Sequence, residues 1–299
     1  IKGVAYNIKI LPVKVLKKRE NLKRNRESIS FSDRVAKGIL YAVKMKADII
    51  NMSLGWPSIL DTGYLREAVK LAQENNILIV AAAGNNGSLL PIYPCAYENV
   101  ICASAITANG QLAHFSNRGG HIDVLAPGEQ ILSTFPETLT PLNFSLTGYE
   151  VKNGTSQAAP FVSGALAALK SFYPRDIKNS LILGALYNEA LPRQKKDLSL
   201  NGLIQIKDAM KLPTVPVIRP NFKGTGQIAV TDILNDISIP IQLKNFGTTS
   251  FKTQVKIDVI SSQKTQTEHF QLPILKHGDI WENIIKFHLD NLKQDSLIK

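Results

Sequence analysis

The segment Asn153-Gly154-Thr155-Ser156-Gln157-Ala158-Ala159-Pro160 runs straight into Phe161-Val162-Ser163-Gly164-Ala165-Leu166-Ala167-Ala168-Leu169, so a hydroxyl stands at the mouth of a helix made of small residues. Gly154 permits a close approach of the backbone, Thr155 can cap the helix, and the Ala/Gly run lets the helix lie tight against its neighbours. A serine placed there meets the positive end of the helix dipole, where developing negative charge is favoured. Nucleophilic attack is the chemistry such a hydroxyl can do. Taken alone, Gly-Thr-Ser is more simply a helix cap.

The elements around this segment follow a regular order. Ile8 to Leu16 is apolar and β-branched enough for a strand. Ser32-Asp33 then caps an amphipathic helix with Val35, Ile39 and Val43 along one side. Asp48 to Ser53 makes the next strand. Thr62 to Asn75 is a second helix with Leu65, Ala68, Val69 and Ala72 as its inner stripe, and Ile77 to Ala83 is a continuous apolar run closed by Gly84. Val100 to Ala105 and Ile122 to Ala126 are shorter strands. Alternation of this kind implies a parallel sheet with helical crossovers, whose active sites collect beyond the carboxyl ends of the strands. Asn51-Met52-Ser53-Leu54-Gly55 and Ala83-Gly84-Asn85 are both such ends.

With these residues the chain resembles the subtilases, the subtilisin-like serine peptidases, whose nucleophile lies in a Gly-Thr-Ser-x-Ala-x-Pro segment. Ala81-Ala82-Ala83-Gly84-Asn85-Asn86-Gly87 is similar to the family segment whose Asn supplies an oxyanion donor. Asn51 to Gly55 resembles the substrate-binding strand, and Gly3-Val4-Ala5 with Val13-Lys14-Val15-Leu16 an earlier strand and its lead-in. Tyr93-Pro94, Asn99-Val100-Ile101, Phe115-Ser116-Asn117, Ile122 to Gly128, and Gly202-Leu203-Ile204 with Asp208-Ala209 continue in the family's order. A series of matches in one order is far more specific than any single motif.

The resemblance implies a three-layer α/β fold, a parallel sheet flanked by helices, over residues 1–211, and an endopeptidase working through an acyl-enzyme. It assigns Ser156 as nucleophile and Asn85, with the Ser156 N–H, as the oxyanion hole. Ser53, Leu54, Gly55, Ala82, Ala83 and Gly84 would flank an extended polypeptide substrate, with Asn153, Gly154 and Thr155 completing its site. Small residues in such walls leave space for a bulky apolar side chain. Gln157, Phe161 and Ser163 depart from the residues common in the family and bear on packing behind the nucleophile.

The family's order is Asp, then His, then Ser, and the His segment belongs on the amino side of the stretch resembling Gly3-Val4-Ala5. The first histidine here is His114. The triad Asp and His are therefore expected upstream of Ile1, and the chain by itself is expected to be inactive. His114, His121, His269, His277 and His288 read as surface or structural histidines, and Asp123 as a structural carboxylate at a strand end. The alternative is a pseudopeptidase that holds peptides without cutting them. No cofactor is required. The family often binds calcium for stability, but no ligand is identifiable here.

The formal charge is +11, and residues 1–46 hold thirteen Lys/Arg against three Asp/Glu, so +10 of it comes from that end. Lys17-Lys18-Arg19 and Lys23-Arg24-Asn25-Arg26 lack interleaved aromatics and read as a solvated loop or as a docking patch for an acidic partner, not as a nucleic-acid site. No apolar run is long enough to cross a bilayer. Location outside the cell or in its envelope is only what the family implies. Cys95 and Cys102 could close a disulfide or remain two buried thiols. Residues 212–226 have the prolines of an extended linker, and 227–299 alternate as in a β-sandwich of about five strands, with no indicated partner.

Overall fold

Apolar runs with no polar interruption form the centre of the molecule, because a parallel strand is covered on both faces. The computed structural model describes residues 3–16, 30–57, 63–136, 148–190, 202–210, 218–220, 228–229, 236–250, 252–260, 265–288 and 297–298. In chain order the first part comprises α1 (Phe31–Lys44), β1 (Ile49–Met52), β2 (Trp56–Pro57), α2 (Gly63–Glu74), β3 (Leu78–Ala82), β4 (Ile92–Tyr93), β5 (Val100–Ile106) and β6 (Val124–Pro127). The hairpin β7 (Ile131–Thr134) and β8 (Tyr149–Lys152) leads into α3 (Thr155–Phe172), followed by α4 (Asn179–Asn188), β9 (Gly202–Leu203) and α5 (Ile206–Ala209).

The main sheet has the order β1-β3-β5-β6-β9, and every pairing in it is parallel. Alternate residues of β3 point to opposite sides. Leu78, Val80 and Ala82 meet α3 and α4 with Val162, Leu166, Leu169 and Leu186, whereas Ile79 and Ala81 meet α1 and α2 with Ile39, Leu65 and Val69. This is the expected three-layer α/β arrangement. Leu166 and Leu169 are fully buried, each contributing on the order of 1.5–3 kcal/mol by leaving water. Gly164 lets Val4 rest directly on α3, since a methyl there would lie 2.7 Å from Val4 Cβ.

Two local expectations are corrected. Residues 8–16 belong to no strand, because a strand requires a hydrogen-bonded neighbour and none of the described residues supplies one. Val13 and Val15 instead pack on α1 beside Gly38, and the Arg34 guanidinium donates to Val15 O at 3.1 Å. The cap of α1 is Ser30 rather than Ser32; Ser30 Oγ accepts the Asp33 N–H at 3.1 Å, which places Ser32 inside the first turn. Within the expected linker 212–226 the described residues are Ile218–Pro220, which form strand β10; the others lie outside the described residues.

Beyond β10 the chain forms β11 (Ile228–Ala229), β12 (Asp236–Asn245), β13 (Thr253–Ile260), β14 (Thr265–Leu272), β15 (Ile280–His288) and β16 (Leu297–Ile298), all paired antiparallel. A three-stranded sheet β10-β12-β15 and the β13-β14 hairpin meet across a small core of Leu243, Leu272, Leu275, Val255 and Trp281. This β-rich part is fastened to the first by Phe246, which is 7% exposed and packs in the same core as α3 and α4, edge-on to Tyr187. His277 bridges the two parts, with Nδ1 on Gly247 O and Nε2 on Ser180 Oγ. Lys244 lies beside Asn99, and burial lowers its ammonium pKa against an opposing pull from Glu98.

Candidate active site

Two strand ends and one helix start converge at Ser156. β1 delivers Ser53, β3 delivers Gly84 and Asn85, and the β8 strand feeds Asn153 and Gly154 into α3. Ser156 and Ser53 are joined reciprocally: Ser156 Oγ donates to Ser53 O at 3.1 Å, and Ser53 Oγ donates to Ser156 O at 2.8 Å. The network extends backwards. Asn51 Nδ2 donates to Ser53 Oγ at 3.0 Å, and Ser163 Oγ, one of the departures from the family pattern, donates to Asn51 Oδ1 at 2.9 Å.

Thr155 does not cap α3. The N-cap is Gly154, with no side-chain cap, and the Thr155 hydroxyl turns inward, fully buried. It accepts the Gly84 N–H at 2.9 Å and donates to Asn85 Oδ1 at 2.9 Å, while the Thr155 N–H donates to the same Oδ1 at 2.8 Å. Occupation of Oδ1 fixes the Asn85 amide so that Nδ2 faces Gly154, 3.3 Å from where a Cβ there would stand. Gly154 has φ +154°, and a side chain at it would also run into Gln157 Oε1.

The first turn of a helix carries N–H groups without intrahelical partners. Thr155 N–H goes to Asn85, and the Gln157 and Ala158 N–H groups go to Gly154 O at 3.0 and 3.4 Å. Among the described residues this leaves the Ser156 N–H as the open donor of the turn, beside Asn85 Nδ2. No acidic residue occupies the first turn of α3 to offset its positive end. Two donors and a hydroxyl at one helix start can receive a carbonyl oxygen that becomes an anion.

Asn117 carries a role that its motif did not reveal. It is 1% exposed; its Oδ1 accepts the Asn86 and Ser88 N–H groups, both at 3.0 Å, and its own N–H donates to Gly84 O at 2.9 Å. It thus clamps the loop that presents Asn85. The signal available in sequence was only that Asn side chains hold turns by taking backbone N–H groups. Gly84, at φ +102°, must be glycine, because a Cβ would lie 2.5 Å from Asn117 Nδ2.

The remaining candidates fall as follows. Ser53, Gly55 and Asn153 are exposed, and Asn153 Oδ1 accepts the Gln130 N–H at 2.6 Å. Leu54 is half-buried on the α1/α2 side. Ala82 and Ala83 are buried in the two cores, so of that trio Gly84 alone reaches the surface. Asp123 Oδ2 accepts the Cys102 N–H at 2.7 Å, a bond that ties β6 to β5. His121 is fully buried, and His114 is exposed with its ring edge-on to Phe115. Cys95 and Cys102 form a disulfide, which closes the choice left open by the sequence. Among the described residues no three His, Cys, Asp or Glu side chains gather in a metal-holding group, and no helix is long and apolar enough to cross a membrane.

Comparison with known proteins gives one answer. The sequence profile of the subtilase family matches residues 1–206. The chain is 41% identical over 216 residues to the major intracellular serine protease of Bacillus subtilis (strain 168), covering 69% of this chain and 62% of that protein. It is 36% identical over 223 residues to the intracellular serine protease of Paenibacillus polymyxa, covering 71% and 63%. The chain thus spans less than two thirds of these relatives' lengths. Among solved structures it is similar to the prenylagaramide maturation protease PagA, with TM-score 0.52 and 29% identity over 63% of this chain and 70% of that one. Two of these relatives are named intracellular proteases, so the expectation of a secreted protein has no support from them. The profile match, the relatives and the convergence on Ser156 agree that the chain belongs to the subtilase family.

Proposed function

We propose that this chain forms the nucleophile-bearing part of a serine endopeptidase that hydrolyses peptide bonds through an acyl-enzyme on Ser156. The observation that carries this reading is the Asn85–Thr155–Ser156 arrangement, in which one donor is locked by the residue preceding the nucleophile. Ser156 Oγ attacks the substrate carbonyl, and its proton leaves to a base. The carbonyl oxygen, now negative, is held by Asn85 Nδ2 and the Ser156 N–H; the C–N bond breaks, and the departing amine takes the proton. Water then repeats the sequence in reverse and frees the second product. Ser156 Oγ must rotate off Ser53 O for this, since a backbone carbonyl cannot take the proton. A His oriented by an Asp, contributed by residues outside this chain, fills that role in our reading.

The substrate is polypeptide, and its backbone lies along the ends of β1 and β3 near Ser53 and Gly84 as an added strand. Calcium has no residues assigned to it here. No observation favours a protein that holds peptides without cutting them. The test is a fluorophosphonate probe applied to the full-length protein that contains this chain, beside a casein digest. Labelling at Ser156 and loss of both signals in Ser156→Ala are expected. Casein hydrolysis that survives Ser156→Ala sinks the proposal.

A further inference from the structure

Gly55 and Gly84, which end the two strand exits on either side of the site, point at the same atom. A methyl on Gly55 would lie 2.7 Å from Ile92 Cδ1, and one on Gly84 would lie 2.9 Å from it. The space these two glycines keep free of side chains is therefore taken up by an isoleucine. Ile92 is also held from behind. In the β2–β4 ladder Ile92 faces Pro57 and Tyr93 faces Trp56, Ile92 O accepts the Ala96 N–H at 2.9 Å, and Cys95 is bridged to Cys102 of β5. A β-branched side chain on a paired strand has few alternative χ1 positions, so the direction in which Ile92 projects is held, and only rotation about χ2 moves Cδ1.

A carbonyl oxygen seated between Asn85 Nδ2 and the Ser156 N–H puts the α-carbon of the same residue beside these strand exits. With the substrate backbone along the ends of β1 and β3, as in the proposed function, its side chain is taken to enter between Gly55 and Gly84. We propose that Ile92 plugs this side-chain pocket, so that the residue whose carbonyl Ser156 attacks is restricted to small side chains such as Gly, Ala or Ser. The small-residue walls alone pointed to bulky apolar side chains; the proposed plug would reverse that expectation. Ile92 is half-buried and carries no charge, so selection is by volume. This inference rests on the peptidase reading for its cleavage arm and on the pocket alone for its binding arm.

The test compares the full-length protein with its Ile92→Val, Ile92→Ala and Ile92→Gly variants on peptides that differ only in Ala or Phe before the cleaved bond. Wild type should favour Ala over Phe in kcat/KM by about 10- to 100-fold, the range that hydrophobic pocket volume supplies. The ratio should fall stepwise along the series and by at least tenfold in Ile92→Gly, with thermal melts identifying any variant that fails to fold; Ile92→Ala then serves in its place. In parallel, titration calorimetry on Ser156→Ala backgrounds measures peptides ending in Ala or Phe. Cleavage with no Ala/Phe discrimination, or a ratio indifferent to Ile92, overturns the plug while leaving the peptidase reading intact. If nothing is cleaved, the peptidase reading fails, and Ala-selective binding that is lost in Ile92→Gly still supports the plug; unselective or absent binding overturns it.

Discussion

Asn85 Oδ1 accepts two hydrogen bonds from one residue, the Thr155 N–H at 2.8 Å and the Thr155 hydroxyl at 2.9 Å. The same hydroxyl accepts the Gly84 N–H, so a single buried side chain sets both the strand exit and the amide that faces the nucleophile. Thr155→Val keeps the shape and the backbone N–H bond to Asn85 but deletes both bonds of the hydroxyl. It leaves Gly84 N–H without its acceptor, so stability should fall by about 1–3 kcal/mol in urea denaturation. Thr155→Ser should recover most of it. An unchanged midpoint in Thr155→Val would show that the clamp is idle.

Asn85→Ala in the full-length protein should lower kcat while leaving KM nearly unchanged, because Nδ2 acts on charge that exists only in the transition state. The expected loss is on the order of 10²–10³-fold; that magnitude is subtilisin's own, a known case within this family. Steady-state kinetics on one peptide decide it. A rise in KM with kcat intact would assign Asn85 to substrate binding instead.

Tyr187 should make the protein sensitive to alkali. Burial, reinforced by the Asp123 carboxylate, raises its phenol well above the ordinary value of 10.0. The folded chain keeps this proton where the unfolded chain releases it, so the contribution is complete below about pH 10 and declines as pH rises further, by at most ~1.4 kcal/mol per pH unit. Tyr187→Phe removes this slope. Urea midpoints measured from pH 8 to pH 11 in both proteins give the difference, to which Tyr173, also raised by burial, contributes equally in each. Parallel curves would contradict the assignment.

Gly184→Ala should destabilise the protein although alanine is the better helix former by about 1 kcal/mol. A methyl at this position of α4 runs into the backbone oxygen of Phe246, which cannot turn aside as a side chain could. Overpacking of this kind costs about 1–3 kcal/mol. Thermal melts should show a lower midpoint, and a higher one would mean that the β-rich part is not seated on α4.

Reduction should cost stability as well. The Cys95–Cys102 bridge spans a sequence separation of 7, a short loop for which chain-entropy reasoning gives roughly 2–3 kcal/mol. Thiol titration in denaturant should find no free thiol before reduction and both afterwards, and Cys95→Ser should match the reduced protein in urea. Free thiols in the untreated protein would overturn the bridge.

By itself the sequence determined the helices α1 and α2, the central strands of the main sheet and the entry to α3. Runs such as Leu78–Ala82, the stripe Leu65, Ala68, Val69 and Ala72, and the Gly-Thr-Ser entry to α3 are short-range signals, set by periodicity and by the conformations that glycine and small residues allow. Even there a local reading failed where tertiary partners competed, as when Thr155 left its cap role for Asn85, 70 residues away. Only the tertiary structure decided that Ser163, Asn51, Ser53 and Ser156 form one network across more than 100 residues, that Asn117 clamps the Asn85 loop, and that Ile92 fills the gap between Gly55 and Gly84. Each of these depends on which side chain occupies a space bounded by several separate segments. That is a property of packing in three dimensions, and no spacing along the chain encodes it.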